Sequence, residues 1–304
     1  MRALFLGLLA SLFFASTFVL NRLMELAGGH WLWSASLRYL FMLVPLLAIV
    51  AWRGKLGLVL HELRQQPWQW MWWSSIGFGL FYAPLCFAAK YAPAWLVAST
   101  WQITIIAGAL VAPLLQAKSA PNQAAWHWRS LAISGLILAG VAVIQLQHAA
   151  TIGWREVLLG FMPVVIAAFA YPLGNRAMMQ LCGQRLATFE RVLGMTIASL
   201  PFWLILAGVA ATTVGWPSAS QLGQSLLVAL LAGVIATVLF FKATDLAQHH
   251  QGQLAAVEAT QAGEVVFALV GEIVVLNSPA PSDLTLVGIG VIIIGMVLHS
   301  WFSD

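Results

Sequence analysis

Among the ionisable residues inside long apolar runs of this sequence are Glu258, Glu264 and Glu272 in one run, and Arg38 and Arg191 in two others. A charge at the centre of a bilayer costs about 2.5 to 3.5 kcal/mol on insertion scales, so each needs a partner, a wet cavity or a function. Glu264 lies nearest the middle of its run. It reads either as a neutral, hydrogen-bonded link between helices or as a protonatable, cation-contacting group. At 100° per residue, Glu258 and Glu272 return to within about 40° of one helix face and stand roughly 21 Å apart. Glu264 points about 120° away from Glu258, so the three do not form a relay of adjacent carboxylates. Arg38 and Arg191 lie one to two turns inside their runs and read as structural or gating counter-charges that could also attract a substrate carboxylate. Glu190 adjoins Arg191, but neighbours on a helix do not face each other, so Arg191 is expected to look to another helix.

A second group of residues offers recognition without charge. Trp101 and Gln102 stand in mid-run, where an indole N–H and a primary amide provide stacking and hydrogen bonds, although Trp101 could simply fill a packing gap. Thr260 and Gln261 occupy a similar place in a later run. Tyr82 beside Pro84, and Tyr171 beside Pro172, add phenols where proline is expected to break a helix and free backbone carbonyls. An aromatic pocket with few polar groups suits a small organic molecule better than an inorganic ion. Cys86 and Cys182 have no paired spacing, and the adjacent imidazoles of His249 and His250 point apart, so no metal site or disulfide framework is indicated. The sequence has no phosphate loop of P-loop spacing, which excludes ATP as the energy source, and no cofactor or catalytic set is expected.

The elements that must position these residues follow from composition. Of 304 residues, 61% are hydrophobic and 8% charged, and the mean hydropathy is +0.89. A soluble domain is near a quarter charged, so this is an integral membrane chain. Apolar runs near 3–23, 31–51, 70–90, 93–115, 128–147, 155–176, 187–209, 222–246, 253–276 and 284–302 are each long enough to span a bilayer. They are continuously apolar rather than alternating, so an all-α bundle of ten transmembrane helices is expected and a β-barrel is not. With both termini in the cytoplasm, the cytoplasmic side carries Arg2, Arg53, Lys55, Arg64, Lys118, Arg129, Arg176, Arg185 and Lys242. The outside carries Arg22, Lys90 and Arg155. This asymmetry accounts for the net charge of +4 and removes nucleic acid as a partner. Trp31, Trp33, Trp52, Trp68, Trp70, Trp126, Trp128, Trp154 and Trp301 sit near run ends, as interfacial indoles do. Segment 53–69 reads as an amphipathic helix on the cytoplasmic face.

The two halves echo each other. The first run ends Phe14-Ala15 through Asn21-Arg22 and the sixth ends Phe169-Ala170 through Asn175-Arg176. Arg38 and Arg191 follow, and Ser99 to Gln102 matches Ala259 to Ala262. Five runs separate the members of each pair, an odd number, so residues 1–150 and 151–304 are expected to be two inverted five-helix repeats.

With these motifs, and with the segments Gly29–Tyr39, Val257–Glu264 and Glu264–Glu272, the chain resembles the drug/metabolite transporter superfamily over its whole length. Its nearest likeness there is to EamA-type exporters and the putative multidrug resistance efflux transporters. The resemblance implies proton-linked or facilitated export of small molecules, metabolites such as amino acids or drugs, from a cavity between the repeats. It implies a bacterial inner-membrane protein surrounded by lipid, with monomer and homodimer both open. Four-helix pumps of the superfamily carry a membrane glutamate in their first span; this first run has none before Glu25, so that exchange site does not transfer. An integral-membrane enzyme would need a clustered acid, base or metal set, which the dispersed glutamates do not supply. A non-transporting scaffold would need neither the repeat nor the mid-run polar residues.

Overall fold

The computed structural model describes residues 2–108, 110–111, 128–183, 185–247, 257 and 260–301, and these contain helices and no strand. The helices are α1 (Arg2–Leu26), α2 (Trp31–Trp52), α3 (Leu56–Gln65), α4 (Pro67–Ser74), α5 (Leu80–Ala88), α6 (Ala94–Trp101), α7 (Trp128–Ile152), α8 (Trp154–Cys182), α9 (Thr188–Thr213), α10 (Ala219–Val228), α11 (Thr237–Ala247), α12 (Gly263–Leu276) and α13 (Asp283–Trp301). Among the described residues, five stretches are long and apolar enough to cross a membrane: Arg2–Leu26, Trp31–Trp52, Trp154–Cys182, Thr188–Thr213 and Ala219–Phe240. Shorter apolar helices cover Ala94–Gly108, Gly135–His148 and Asp283–Leu298. The chain is therefore an all-helical, multi-pass membrane protein.

Local chemistry sets the ends. His30 caps α2, its ring accepting from Leu32 N–H, and the Ser218 side chain accepts from Gln221 N–H at the start of α10. Gly153 alone separates α7 from α8 and turns the chain with φ 92°, a conformation open to glycine and strained for other residues.

Two stretches depart from α geometry in a way the apolar pattern does not reveal. Ser75–Gly79 joins α4 to α5, and Ala229–Ala236 joins α10 to α11, both as π turns. A break was expected at Pro84, yet α5 runs through it, and α8 runs through Pro163 and Pro172. The irregular turn lies earlier. By Leu80, whose carbonyl the Pro84 ring crowds, the ladder has already widened, with Leu80 N donating to Ser75 O. There the backbones of the π turn and α8 nearly touch: a Cβ on Gly174 would lie 2.3 Å from Gly77 Cα. Helix α6 ends at a turn at Gln102, and α12 is preceded by a 3₁₀ turn, Thr260–Ala262.

Packing pairs α2 with α9, α5 with α8, α7 with α13, and α1 with α11 and α12. Contacts between connectors sort them into two groups. At one end Arg185 bonds Glu62 in α3, with Nε 2.7 Å from Oε1, and Arg53 lies 3.5 Å from Glu190. At the other, Trp33 donates to Gly215 O at 2.8 Å, Gln221 donates to His30 O at 2.8 Å, and Arg22 donates to Ala89 O at 2.8 Å. Ala94 N–H donates to Glu272 at 2.6 Å, which joins the connector before α6 to the end of α12. Trp52, Trp68, Trp154 and Trp301 are exposed as interfacial residues should be, but Trp70 is buried against Gly194, where the absent side chain leaves room for its indole.

Candidate functional site

Arg38 is carried on α2 about two turns from its start and is only 6% exposed. Its guanidinium carbon lies 4.1 Å from the centroid of the Tyr82 ring and 5.7 Å from that of Tyr39. Its Nη1 donates a long hydrogen bond, 3.5 Å, to Thr17 Oγ1, and its Nε has no hydrogen-bond partner. No carboxylate among the described residues lies within ion-pair distance. Aromatic faces thus supply the electrostatic stabilisation a counter-ion would normally give. Tyr82 is fully buried and donates to Asn21 Oδ1 at 2.9 Å, which ties α5 to α1 beneath the arginine. Tyr39 in turn stacks on Trp203 of α9, centroids 4.4 Å apart and planes at 10°, and Trp203 donates to Ser199.

Next to this cluster, three rings from three helices meet: Phe81 lies 5.1 Å from Trp101 and 4.8 Å from Tyr171, and Trp101 lies 5.5 Å from Tyr171. Trp101 is nearly buried, at 9%, whereas Tyr171 is 38% exposed. That exposure is not toward lipid. The lipid stripe of α8 runs through Leu158, Met162, Ile166 and Phe169, all exposed, and Tyr171 points about 140° or more away from each at 100° per residue. Its neighbours on the inward face, Val164, Ala167 and Met178, are buried, so the opening at Tyr171 is local and internal. Tyr171 is also within electrostatic reach of Glu264, Arg191 and Arg38.

Glu264 is 5% exposed and makes no hydrogen bond or ion pair with the described residues. It occupies the first turn of α12, because the 3₁₀ turn restarts the helix at Gly263, and a carboxyl there faces the positive end of the helix dipole. Glu258 lies outside the described residues, and the 3₁₀ turn Thr260–Ala262 stands between it and the other two glutamates. Glu272 is not part of this group: its Oε2 accepts from Ala94 N–H and its Oε1 from Ser278, so it caps α6 from the end of α12. Gln102 is buried and bonds its own helix at Ala98 O. Thr260 donates to Val257 O, and Gln261 is half-buried with its Nε2 unpartnered. Gln145 donates to Thr100 at 2.8 Å, a link between α7 and α6. Arg191 is half-buried and, as the helical spacing required, does not pair with Glu190, which bonds Arg53.

Of the expected residues, then, Trp101, Tyr171, Arg38, Arg191 and Glu264 share one neighbourhood, with Tyr82 beneath it. Gln102, Thr260 and Gln261 lie at the two mid-span helix breaks. Phe81, Tyr39 and Trp203 were not singled out as site residues from sequence, since they sit in apolar runs where one aromatic looks like another; Asn21 was marked only as part of the echo between the halves. An apolar groove of about 310 Å³ between α2, α5, α8 and α9, lined by Trp31, Leu80, Pro84, Phe87, Pro163 and Phe202, presents no charged group. No cluster of metal-ligating side chains occurs among the described residues.

Comparison with known proteins agrees with this architecture. A solved crystal structure only 17% identical covers 97% of this chain and 94% of its own with a TM-score of 0.64, a likeness of fold alone. The uncharacterised protein YjlA of Bacillus subtilis (strain 168) is 55% identical over 310 residues, covering 100% of this chain and 96% of its own length. An uncharacterised 42.1 kDa protein of Shouchella clausii, from the region 3′ of its intracellular alkaline protease, is 48% identical over 267 residues, 87% of this chain and 70% of its own. Residues 1–304 match the EmrE family, described as putative multidrug resistance efflux transporters. The chain belongs to that family, within the drug/metabolite transporter superfamily.

Proposed function

We propose that this protein is a secondary transporter that exports small organic molecules across the bacterial inner membrane by alternating access to a cavity around Tyr171. The observation that carries the reading is the inward exposure of Tyr171 against Phe81 and Trp101, on the face of α8 where Val164, Ala167 and Met178 are buried. In this reading the apolar segments form ten spans in two inverted halves, residues 1–150 and 151–304. Several features support it. Spans two and seven pack together, as do five and ten, and each pair consists of repeat mates. Spans three and six pack as spans eight and one do, and spans four and six pack as nine and one do. The π turns fall in spans three and eight, and the mid-span breaks in four and nine, which are again mates. Transporter sites commonly lie at such broken helices between inverted repeats.

Sidedness follows from the connector groups. The end holding Arg53, Lys55 and Arg185 is the more basic, so it and both termini are assigned to the cytoplasm. Glu264 is assigned to coupling, because it is buried without an ion pair to the described residues, where a neutral and an ionised carboxyl differ most in solvation.

The test is counterflow in proteoliposomes preloaded with amino acids, nucleobases or lipophilic cations, with and without a pH gradient. Accelerated exchange of at least one class over protein-free vesicles is expected. Glu264→Gln should keep exchange without a gradient and lose the response to one. Exchange no faster than in protein-free vesicles for every class would refute transport, and an unchanged pH response in Glu264→Gln would make the glutamate structural and the protein a facilitator.

A further inference from the structure

A buried guanidinium without a counter-ion calls for explanation, because arginine is not deprotonated in proteins and its desolvation is costly. Three buried carboxylates elsewhere in the bundle are already engaged: Glu190 with Arg53, Glu62 with Arg185 and Glu272 with Ala94 N–H. Glu25 lies within electrostatic reach of Lys90 and Arg22. Among the described residues, no carboxylate lies within ion-pair distance of Arg38. Its positive charge stands one ring away from an aromatic wall: Arg38 covers Tyr82, whose ring centroid is 6.1 Å from that of Phe81.

Resting on the transport reading above, we propose that Arg38 is the anion-recognition group of this protein. In this assignment it holds the carboxylate of an organic acid whose apolar or aromatic body lies against Phe81, Trp101 and Tyr171. A guanidinium presents a planar fork that matches a carboxylate, and here the Nε–H meets no acceptor. The weakest of its contacts, the 3.5 Å bond to Thr17, is the one an incoming carboxylate would replace. A single guanidinium favours a monoanionic carboxylate over a doubly charged anion such as a phosphate. The Tyr82–Asn21 bond holds the aromatic floor in place while that exchange occurs. Multidrug efflux of lipophilic cations would instead meet an uncompensated positive charge at this position.

The experiment is calorimetric titration of the full-length protein in lipid nanodiscs with three probes of one shape: phenylacetate, phenylacetamide and phenethylamine. Phenylacetate is expected to bind with a Kd at least about tenfold below that of the amide, and the amine more weakly still. In Arg38→Gln the preference for acid over amide should collapse to about one, and Arg38→Lys, which keeps the charge but not the fork, should fall between. The wild-type preference needs no variant, so a failure of Arg38→Gln to fold leaves the test intact. Equal Kd values for acid and amide, preference for the amine, or absence of phenylacetate binding would each overturn the assignment. If counterflow of some other solute persists in that case, transport survives without it; if counterflow is also absent, both fall.

Discussion

Arg38 and Tyr82 show how one side chain is made tolerable by another: the ring face lies where a carboxylate would otherwise be, and its hydroxyl is anchored on Asn21. Trp101 plays a comparable part in the wall at Tyr171. Trp101→Phe keeps a ring in the gap while removing the larger stacking face. Affinity for an aromatic substrate is expected to fall roughly two- to tenfold, matching about 0.5 to 1.5 kcal/mol of aromatic contact, with little change in melting temperature. A large drop in melting temperature with unchanged affinity, read by thermal unfolding and titration, would make Trp101 a packing residue only. At the end of the bundle that holds Arg22 and Gly215, burial and then the Lys90 charge depress the pKa of His30, the cap of α2. Its neutral form is thus favoured by folding. The stabilisation is full above the ordinary imidazole value of about 6.5 and is lost as pH falls through the lower folded value. His30→Asn keeps a capping acceptor without a titration, so its melting temperature should vary less between pH 7.5 and 5 than that of the wild type. The charged residues in apolar runs and the isolated Trp101 were legible in the sequence because each violates its surroundings. Phe81, Tyr39 and Trp203 violate nothing, and only the fold shows that they meet.

The helices as a class followed from apolar length, and their ends from caps and glycines, but the departures from regular geometry did not. A π turn inserts one residue into the ladder and is chosen by what packs against it, as at Ser75–Gly79, where α8 comes within backbone contact through Gly77 and Gly174. Proline drew attention to Pro84 and Pro172, while the breaks formed elsewhere. The same logic altered Glu264: read on a continuous helix it sits mid-span, whereas the 3₁₀ turn makes it the first-turn residue of α12. The crossing supplies a sharp test. Gly174→Ala would place a methyl 2.3 Å from Gly77 Cα, so the two backbones must separate, and a loss of at least about 1 to 3 kcal/mol is expected from overpacking. Gly208→Ala in α9, which meets nothing within 4 Å, should be neutral or slightly stabilising. Thermal midpoints of the two purified variants, measured side by side in one detergent, check this. Equal midpoints would mean the crossing has slack.

For the whole molecule, composition established a membrane chain, and the polar matches between the halves suggested two repeats; the mates among packing pairs, π turns and mid-span breaks extend that suggestion into three dimensions. The inward exposure of Tyr171 was not legible, because the outward or inward aspect of a half-exposed tyrosine depends on the lipid-facing stripe of its own helix. The account turns on that aspect, and cysteine accessibility measures it. In a background lacking Cys86 and Cys182, Tyr171→Cys should react with a membrane-impermeant thiol reagent applied to the cytoplasmic side and, separately, to the outside. Ile166→Cys, on the lipid stripe, should react only with a membrane-soluble reagent. A Tyr171→Cys that behaves like Ile166→Cys would contradict the cavity and the alternating access built on it.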